Sequence, residues 1–251
     1  MRLDTLTSHR VAVTGASSGL GRAASLQLAE QGARVTALAR GADALADLAA
    51  FDSRIESRPL DLTDAHAVAT WAGETDVEGV VLNAGATRFG DFLEQSDADD
   101  AALVSLNVTA NLRLARALAA RWTVARRPGR ILVVASLGGF APLPRQAVYG
   151  ASKAFLISWG LALREELAAH AVTVGVFAPG GIATPMTAGA EFDGLRAHLA
   201  LPEDVAAALV QAYCKGAPLT VPGTSNRLAA LAAKLAPAPL SARVAAKLYS
   251  R

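Results

Sequence analysis

Residues 11–21 read Val11-Ala12-Val13-Thr14-Gly15-Ala16-Ser17-Ser18-Gly19-Leu20-Gly21. A short apolar run passes into three closely spaced glycines, and a helical pattern begins at once. The stretch is a strand, a tight turn and a helix start. In a unit of this kind one glycine permits the turn, one lets the backbone approach a pyrophosphate, and one allows the helix to pack close on the strand. The N–H groups at the helix start then face the phosphates. Gly15, Gly19 and Gly21 are therefore candidate phosphate-binding residues, spaced G-x-x-x-G-x-G where the common dinucleotide fingerprint is G-x-G-x-x-G.

The same turn also contains G-x-S-x-G, from Gly15 to Gly19. That pattern is the nucleophile elbow of α/β-hydrolases. It offers an alternative in which Ser17 is a nucleophile served by His170 or His198. The alternative leaves a second constellation without a purpose. Tyr149-Gly150-Ala151-Ser152-Lys153 sets a phenol and an ammonium four residues apart, on one face if the segment is helical. A nearby cation favours phenolate and draws a tyrosine down from its usual pKa of about 10. A phenol tuned that way is a usable general acid/base. Ser136 follows the apolar run Ile131–Ala135, which puts its hydroxyl at the carboxyl end of a buried strand, where open α/β sheets bind ligands.

Outward from these two sites the chain alternates apolar strand-like runs with helical stretches. Strands are predicted near 10–14, 34–39, 55–60, 79–82, 130–135, 172–177 and 219–222, with helices between them, including 98–122 and 148–169. Alternation of this kind predicts an α/β fold: a Rossmann-type, doubly wound parallel sheet of about seven strands with helices on both faces. A chain of 251 residues with 52% hydrophobic content is long enough to bury one large core, and no linker or internal repeat divides it.

Taken together, these residues resemble the short-chain dehydrogenase/reductase family in its single-domain form. The match runs over roughly residues 10–222: Thr14-Gly15, Gly19 and Gly21, then Asp61, Asn83-Ala84-Gly85, Asn107, Ser136, Tyr149, Lys153, Pro179-Gly180, Ile182 and Thr184 follow in the family's order. The resemblance implies an enzyme that moves a hydride between a nicotinamide cofactor and a carbonyl or alcohol carbon. It assigns Tyr149 as general acid/base, and gives Lys153 both the nicotinamide ribose and the lowering of the tyrosine pKa. It has Ser136 orient the substrate oxygen, and Asn107 hold a helix distortion and a water that relays protons to Lys153. It extends the cofactor-binding set to Ser17, Ser18, Leu20 and Leu62. A non-catalytic nucleotide-bound regulator or scaffold on the same fold is the reading from another class.

The second strand ends at Ala39-Arg40, where an NAD site needs a carboxylate for the ribose 2′-hydroxyl. With no acid there and a guanidinium at hand, the site reads as built for NADP(H) in preference to NAD(H). Asp61, after the third strand, is read as accepting from the adenine amino group, with Thr63 or Asp64 left to cap the next helix.

Charge is uneven. Residues 223–251 hold Arg227, Lys234, Arg243, Lys247 and Arg251 and no acid, so this stretch is +5 against −3 for the rest of a chain whose total is +2. Two helices separated by Pro237-Ala238-Pro239 are predicted. Leu228, Leu231 and Leu235 share a face of the first, and Leu240, Val244 and Leu248 share a face of the second, with Arg243, Lys247 and Arg251 beside them. The organisation is thus one Rossmann-fold catalytic domain over 1–222 and a basic amphipathic helical extension over 223–251. The extension is read first as packing on a neighbouring subunit or over the substrate cleft. Peripheral contact with an anionic membrane is the second reading, and loose order the third.

The remaining partners are a small carbonyl or alcohol substrate, apolar to judge from Met186, Phe192, Leu195 and Leu199 in the loop after Thr184, and further copies of the chain as a dimer or tetramer. Arg145, in the loop before Tyr149, is read as exposed. Nucleic acid is not expected, since the body is net acidic and no recognised module is present. The four histidines have no metal-ligand spacing and no metal is expected. A single cysteine, Cys214, excludes an intrachain disulfide, and the first ten residues have no apolar signal core, so the cytoplasm is the expected compartment.

Overall fold

The computed structural model describes residues 3 and 5–249, apart from the side chains of residues 195, 248 and 249. Arg251 of the basic stripe, and the side chains of Leu195 and Leu248, therefore lie outside the described residues.

Seven parallel strands form one sheet: β1 Arg10–Thr14, β2 Arg34–Ala39, β3 Ile55–Pro59, β4 Gly79–Leu82, β5 Gly129–Val134, β6 Val172–Phe177 and β7 Leu219–Thr220. Their spatial order is β3-β2-β1-β4-β5-β6-β7, the doubly wound arrangement expected from the sequence. The order reverses between β1 and its two neighbours, β2 and β4, which opens a crevice at the carboxyl ends of the strands. Central strands are largely apolar because both faces are covered; β4 and β5 are buried at every position, Arg130 of β5 included.

The intervening helices are α1 Gly19–Glu30, α2 Ala42–Phe51, α3 Ala65–Glu74, α4 Asp97–Val104, α5 Asn111–Val124, α6 Ala147–Ala168 and α7 Pro202–Lys215. They divide between the faces. Leu28 of α1, Leu45 and Leu48 of α2 and Leu209 of α7 pack on Val13, Val35 and Leu132. On the other face, Trp71 of α3, Leu114 and Leu118 of α5 and Leu156 of α6 pack on Val80, Ile131 and Val174. Alternate residues of one strand thus serve opposite cores. The edge strand β3 is blunted by exposed charge and by Pro59. β7 is shorter than predicted, since the chain turns away through Pro222 and Gly223, where proline has no N–H for a ladder.

The helix predicted over 98–122 is broken in the middle. Between α4 and α5, residues Ser105–Ala110 form a π-helical turn around the fully buried Asn107. After β7 the chain forms α8 Thr224–Leu235 and α9 Ala238–Tyr249, divided at Ala236-Pro237. Among the described residues no helix is long and apolar enough to cross a membrane.

One packing detail fixes the amino end of the central strands. The Tyr213 hydroxyl lies directly over Gly79 and bonds to Nε2 of His9 at 2.8 Å. A side chain at Gly79 would occupy the position of that hydroxyl. Gly79→Ala is therefore expected to cost about 1–3 kcal/mol by overpacking, read as a lower urea midpoint at unchanged m-value.

Candidate active site

The glycine turn leaves β1 at the centre of the carboxyl edge. Gly15 has φ +67°, a backbone region that favours glycine. A side chain at Gly21 would run into the Gly15 carbonyl oxygen, so α1 can start this close to β1 only with glycine there. Ser18 caps α1 without a side-chain hydrogen bond, which leaves the first N–H groups of the helix without a side-chain partner. The turn fits a dinucleotide pyrophosphate on each of these counts. Ser17 is half-buried within it and Leu20 is buried beneath it.

Thr14 locks the turn to the next crossover. Its hydroxyl accepts from the N–H groups of Asn83 and Ala84, both at 2.9 Å, and its carbonyl accepts from Nδ2 of Asn83 at 2.9 Å. Asn83-Ala84-Gly85 is thereby drawn alongside Gly15. Across β2, Ala39 is all but buried and Arg40 is exposed, with no carboxylate at the strand end. The Asp61 carboxylate accepts from Thr63 N at 2.8 Å and Thr63 Oγ1 at 2.7 Å. These bonds, with a contribution from the nearby Arg40 cation, hold its pKa below the usual carboxylate range. Asp64 caps α3 by accepting from His66 and Ala67, so Asp61 is not needed as the cap. Leu62 is buried beside it.

The second constellation assembles between β5 and α6. Ser136 Oγ accepts from the Gly138 N–H at 3.1 Å. A methyl group at Gly138 would lie 3.5 Å from Ser136 Oγ and 3.8 Å from Tyr149 Cε1, so the serine and the phenol flank one point. Lys153 is 5% exposed. Its ammonium donates to the Val134 carbonyl at 3.1 Å and stands 5.8 Å from the centre of the Tyr149 ring. Burial pulls its pKa down to about 8. A methyl group at Gly85 would lie 3.2 Å from Asn107 Oδ1 and 3.4 Å from Lys153 Nζ, which ties this centre to the turn side of the crevice.

Asn107 is fully committed. Its Oδ1 accepts from Ala86 N at 2.8 Å, and its Nδ2 donates to Ala86 O at 2.9 Å and to Ser152 Oγ at 3.0 Å. Ser152 donates in turn to the Tyr149 carbonyl at 2.7 Å. Asn111 Nδ2 bonds the Asn107 carbonyl at 2.8 Å, closing the π-turn. Ser152 and Asn111 are contributions the sequence reading missed. The available signal was a polar residue on the inner face of each helix.

Pro179 accepts from the Leu137 N–H at 2.7 Å, which joins the end of β6 to the Ser136 loop. Gly180 faces the side chain of Asn226 on α8, another residue that the sequence reading missed. Ile182 bridges to Ala200. Thr184 lies over the glycine turn, its methyl 2.9 Å from where a Gly19 side chain would begin. In the loop beyond, Phe192 is buried and its ring sits 5.7 Å from that of Phe89, on which the exposed Arg145 stacks at 5.0 Å.

The hydrolase alternative keeps only His198, exposed at the end of the loop after Thr184. Ser17 lies at the carboxyl edge, whereas His170 sits in the turn between α6 and β6, at the amino edge. Among the described residues no cluster of His, Cys, Asp and Glu could hold a metal ion. Cys214 is half-buried on α7 and forms no disulfide.

Comparison with known proteins agrees with this geometry. The short chain dehydrogenase family model matches residues 9–193. Nodulation protein G of Rhizobium sp. (strain N33) is 38% identical over 188 residues, covering 72% of this chain and 76% of that protein. The 3-oxoacyl-(acyl-carrier-protein) reductase FabG of Escherichia coli (strain K12) is 35% identical over 185 residues, covering 70% of this chain and 74% of its own. Among solved structures, a short-chain dehydrogenase from Sphingobium yanoikuyae in complex with NADPH superposes with TM-score 0.81 at 29% identity, covering 89% of this chain and 92% of that one. Another from Burkholderia cenocepacia J2315, in complex with NADP, gives 0.82 at 28% identity and covers 96% and 98%. The chain belongs to the short-chain dehydrogenase/reductase family and is an oxidoreductase of that family.

The depressed pKa of Lys153 has a consequence for stability. Between about 8 and its unfolded value of about 10.4, the unfolded chain holds a proton on this lysine that the folded chain has lost. Folding is therefore penalised below that window and relieved as pH rises through it. The stability of the cofactor-free protein relative to Lys153→Met is expected to increase from pH 8 to pH 10, measured by urea unfolding at each pH.

Proposed function

We propose that the protein is an NADP(H)-dependent oxidoreductase that interconverts a ketone or aldehyde and the matching alcohol, with Tyr149 as general acid/base. One observation carries this reading: the Ser136 hydroxyl and the Tyr149 ring flank a single point, with the Lys153 ammonium behind the phenol, all beside the glycine turn. A non-catalytic regulator has no chemical use for a buried ammonium next to a phenol.

The bound nicotinamide cofactor supplies or accepts the hydride. The glycine turn, Gly15 to Gly21 with Ser17, Ser18 and Leu20, holds the pyrophosphate. Asp61 and Leu62 contact the adenine, Asn83-Ala84-Gly85 lines the crevice floor, and Pro179, Gly180, Ile182 and Thr184 close its far side. Arg40 takes the 2′-phosphate. The missing acid at Ala39 and the NADP and NADPH complexes of the two structural neighbours support that preference.

In reduction Tyr149 gives its phenolic proton to the carbonyl oxygen, and in oxidation it takes that proton back. Ser136 already accepts from Gly138, so the proton of its own hydroxyl remains to donate to the substrate oxygen. Lys153 holds positive charge near the phenol and so favours the phenolate that remains after proton transfer. Asn107 spends its side chain on Ala86 and Ser152, which makes it a positioning residue for α6. The exposed Met186 on the loop after Thr184, with Leu199, supports an apolar carbonyl, and 3-oxoacyl thioesters, named for the Escherichia coli relative, are the first class to assay.

We infer one catalytic domain over 1–222 with a helical extension after it, assembled as a homo-oligomer. The exposed Val104 of α4 and the exposed Phe155, stacked on Trp159 of α6, supply an apolar face for that assembly.

Tyr149→Phe is expected to lower NADPH-driven turnover by about 10²–10⁴ while NADPH affinity, read by fluorescence, stays unchanged. Turnover retained in this variant removes Tyr149 from its role. Arg40→Asp is expected to move the kcat/KM ratio of NADPH over NADH toward NADH by about tenfold or more. A ratio that does not move sinks the 2′-phosphate assignment.

A further inference from the structure

The two carboxyl-terminal helices pack the wrong way round for a domain that uses them only for itself. On α8, Ala230 is buried and Asn226 and Ala233 are half-buried against the body, while Leu228, Leu231 and Leu235 are 64%, 54% and 77% exposed. On α9, Ser241, Ala242 and Ala245 are the half-buried positions among the described side chains, and Leu240 and Val244 are 55% and 53% exposed. A helix that completes its own core turns its large apolar residues inward. Here alanine meets the body and leucine meets water.

The leucine rows are flanked by cations. Arg227 and Lys234 lie one step around α8 from its leucines, and Arg243 and Lys247 lie beside Leu240 and Val244 on α9. No acid occurs in the sequence after Asp204. A cavity of about 540 Å³ opens between α7, β7 and α8, and its wall contains Lys215, Arg227 and Lys234 together with Phe140 and Leu231 but no carboxylate. Among the described residues no ion pair reaches Lys215, Arg227 or Lys234. The Arg227 Nε donates to the Val221 carbonyl at 2.9 Å and the Lys234 ammonium lies 5.4 Å from the Phe140 ring, so both cations are held at the cavity wall.

We propose that α8 and α9 form a docking surface for an anionic bilayer, in which the leucine rows enter the interfacial region and the cavity beside α8 receives headgroup phosphates. Apolar residues that face outward, with cations alongside and no acids, match the chemistry of such a surface. A second copy is the poorer occupant. A two-fold contact of this face with itself would set a +5 stretch against another +5 stretch. This inference does not depend on the carbonyl chemistry above.

The test is cosedimentation of the full chain with phosphatidylcholine vesicles, alone or containing about one third phosphatidylglycerol, at about 0.05 M and 0.5 M salt. Binding to the anionic vesicles is expected to exceed binding to neutral ones by about tenfold or more, and to weaken by a similar factor at the higher salt. The pair Leu231→Ser and Leu235→Ser is expected to abolish binding without changing the melting temperature or NADPH affinity. The pair Arg227→Gln and Lys234→Gln is expected to remove the preference for anionic vesicles. No pelleting with anionic vesicles, equal binding to both compositions, or full binding by the leucine variant each overturns the proposal. So does vesicle-free self-association, by sedimentation velocity, that the leucine variant abolishes, since it makes a second copy the occupant.

Discussion

A lysine ammonium taken out of water needs compensation from every side, and the site is arranged around that requirement at Lys153. β5 ends so that the Val134 carbonyl accepts one ammonium hydrogen. Gly85 has no side chain, which leaves room for the ammonium and the Asn107 amide on the same side of the crevice. Asn107 reaches Ala86 from a π-turn in the helix that carries it, a distortion that often marks functional positions. A buried polar group costs stability unless each bond is made, so these pieces hold one another in register. The backbone of Tyr149 is tied to the same network, because Ser152 bonds both Asn107 and the Tyr149 carbonyl.

The sheet was legible in the sequence for a simple reason. Parallel strands covered on both faces are largely apolar runs, and the central ones stood out between helical stretches. The glycine turn was legible because φ values such as that of Gly15, and an approach as close as that of Gly21, leave few residue types. Of the site, Ser136, Tyr149, Lys153 and Asn107 were read in the chain, and the structure brings them together with Gly85 and Gly138. The π-turn was not legible from periodicity, because apolar spacing continues through 105–110. Ser152, Asn111 and Asn226 were missed because a polar residue on a helix looks solvated until its partner from a distant segment is known.

The extension shows the limit of periodicity most plainly. The spacing of Leu228, Leu231 and Leu235 told which residues share a face of α8. It did not tell which face meets the protein. Alanine wins that place because small side chains let α8 lie close to the body, with Asn226 against Gly180. The first turn of α8 therefore meets Gly180 through Asn226, while its leucines stay largely exposed.

The central position of β1 has a consequence for how the chain acquires its structure. The first strand made is the one with neighbours on both sides: β2, which follows closely, and β4, which is not complete until residue 82. One edge of the earliest strand thus stays unpaired while some forty further residues are added. Pairings so far apart along the chain form slowly, because loop closure must come before any contact rewards it. The glycine turn inherits this delay, since the Thr14 hydroxyl has its Asn83 and Ala84 partners only after β4 has docked. Nascent chains shorter than this carry the glycine motif without the Asn83 and Ala84 partners that lock it.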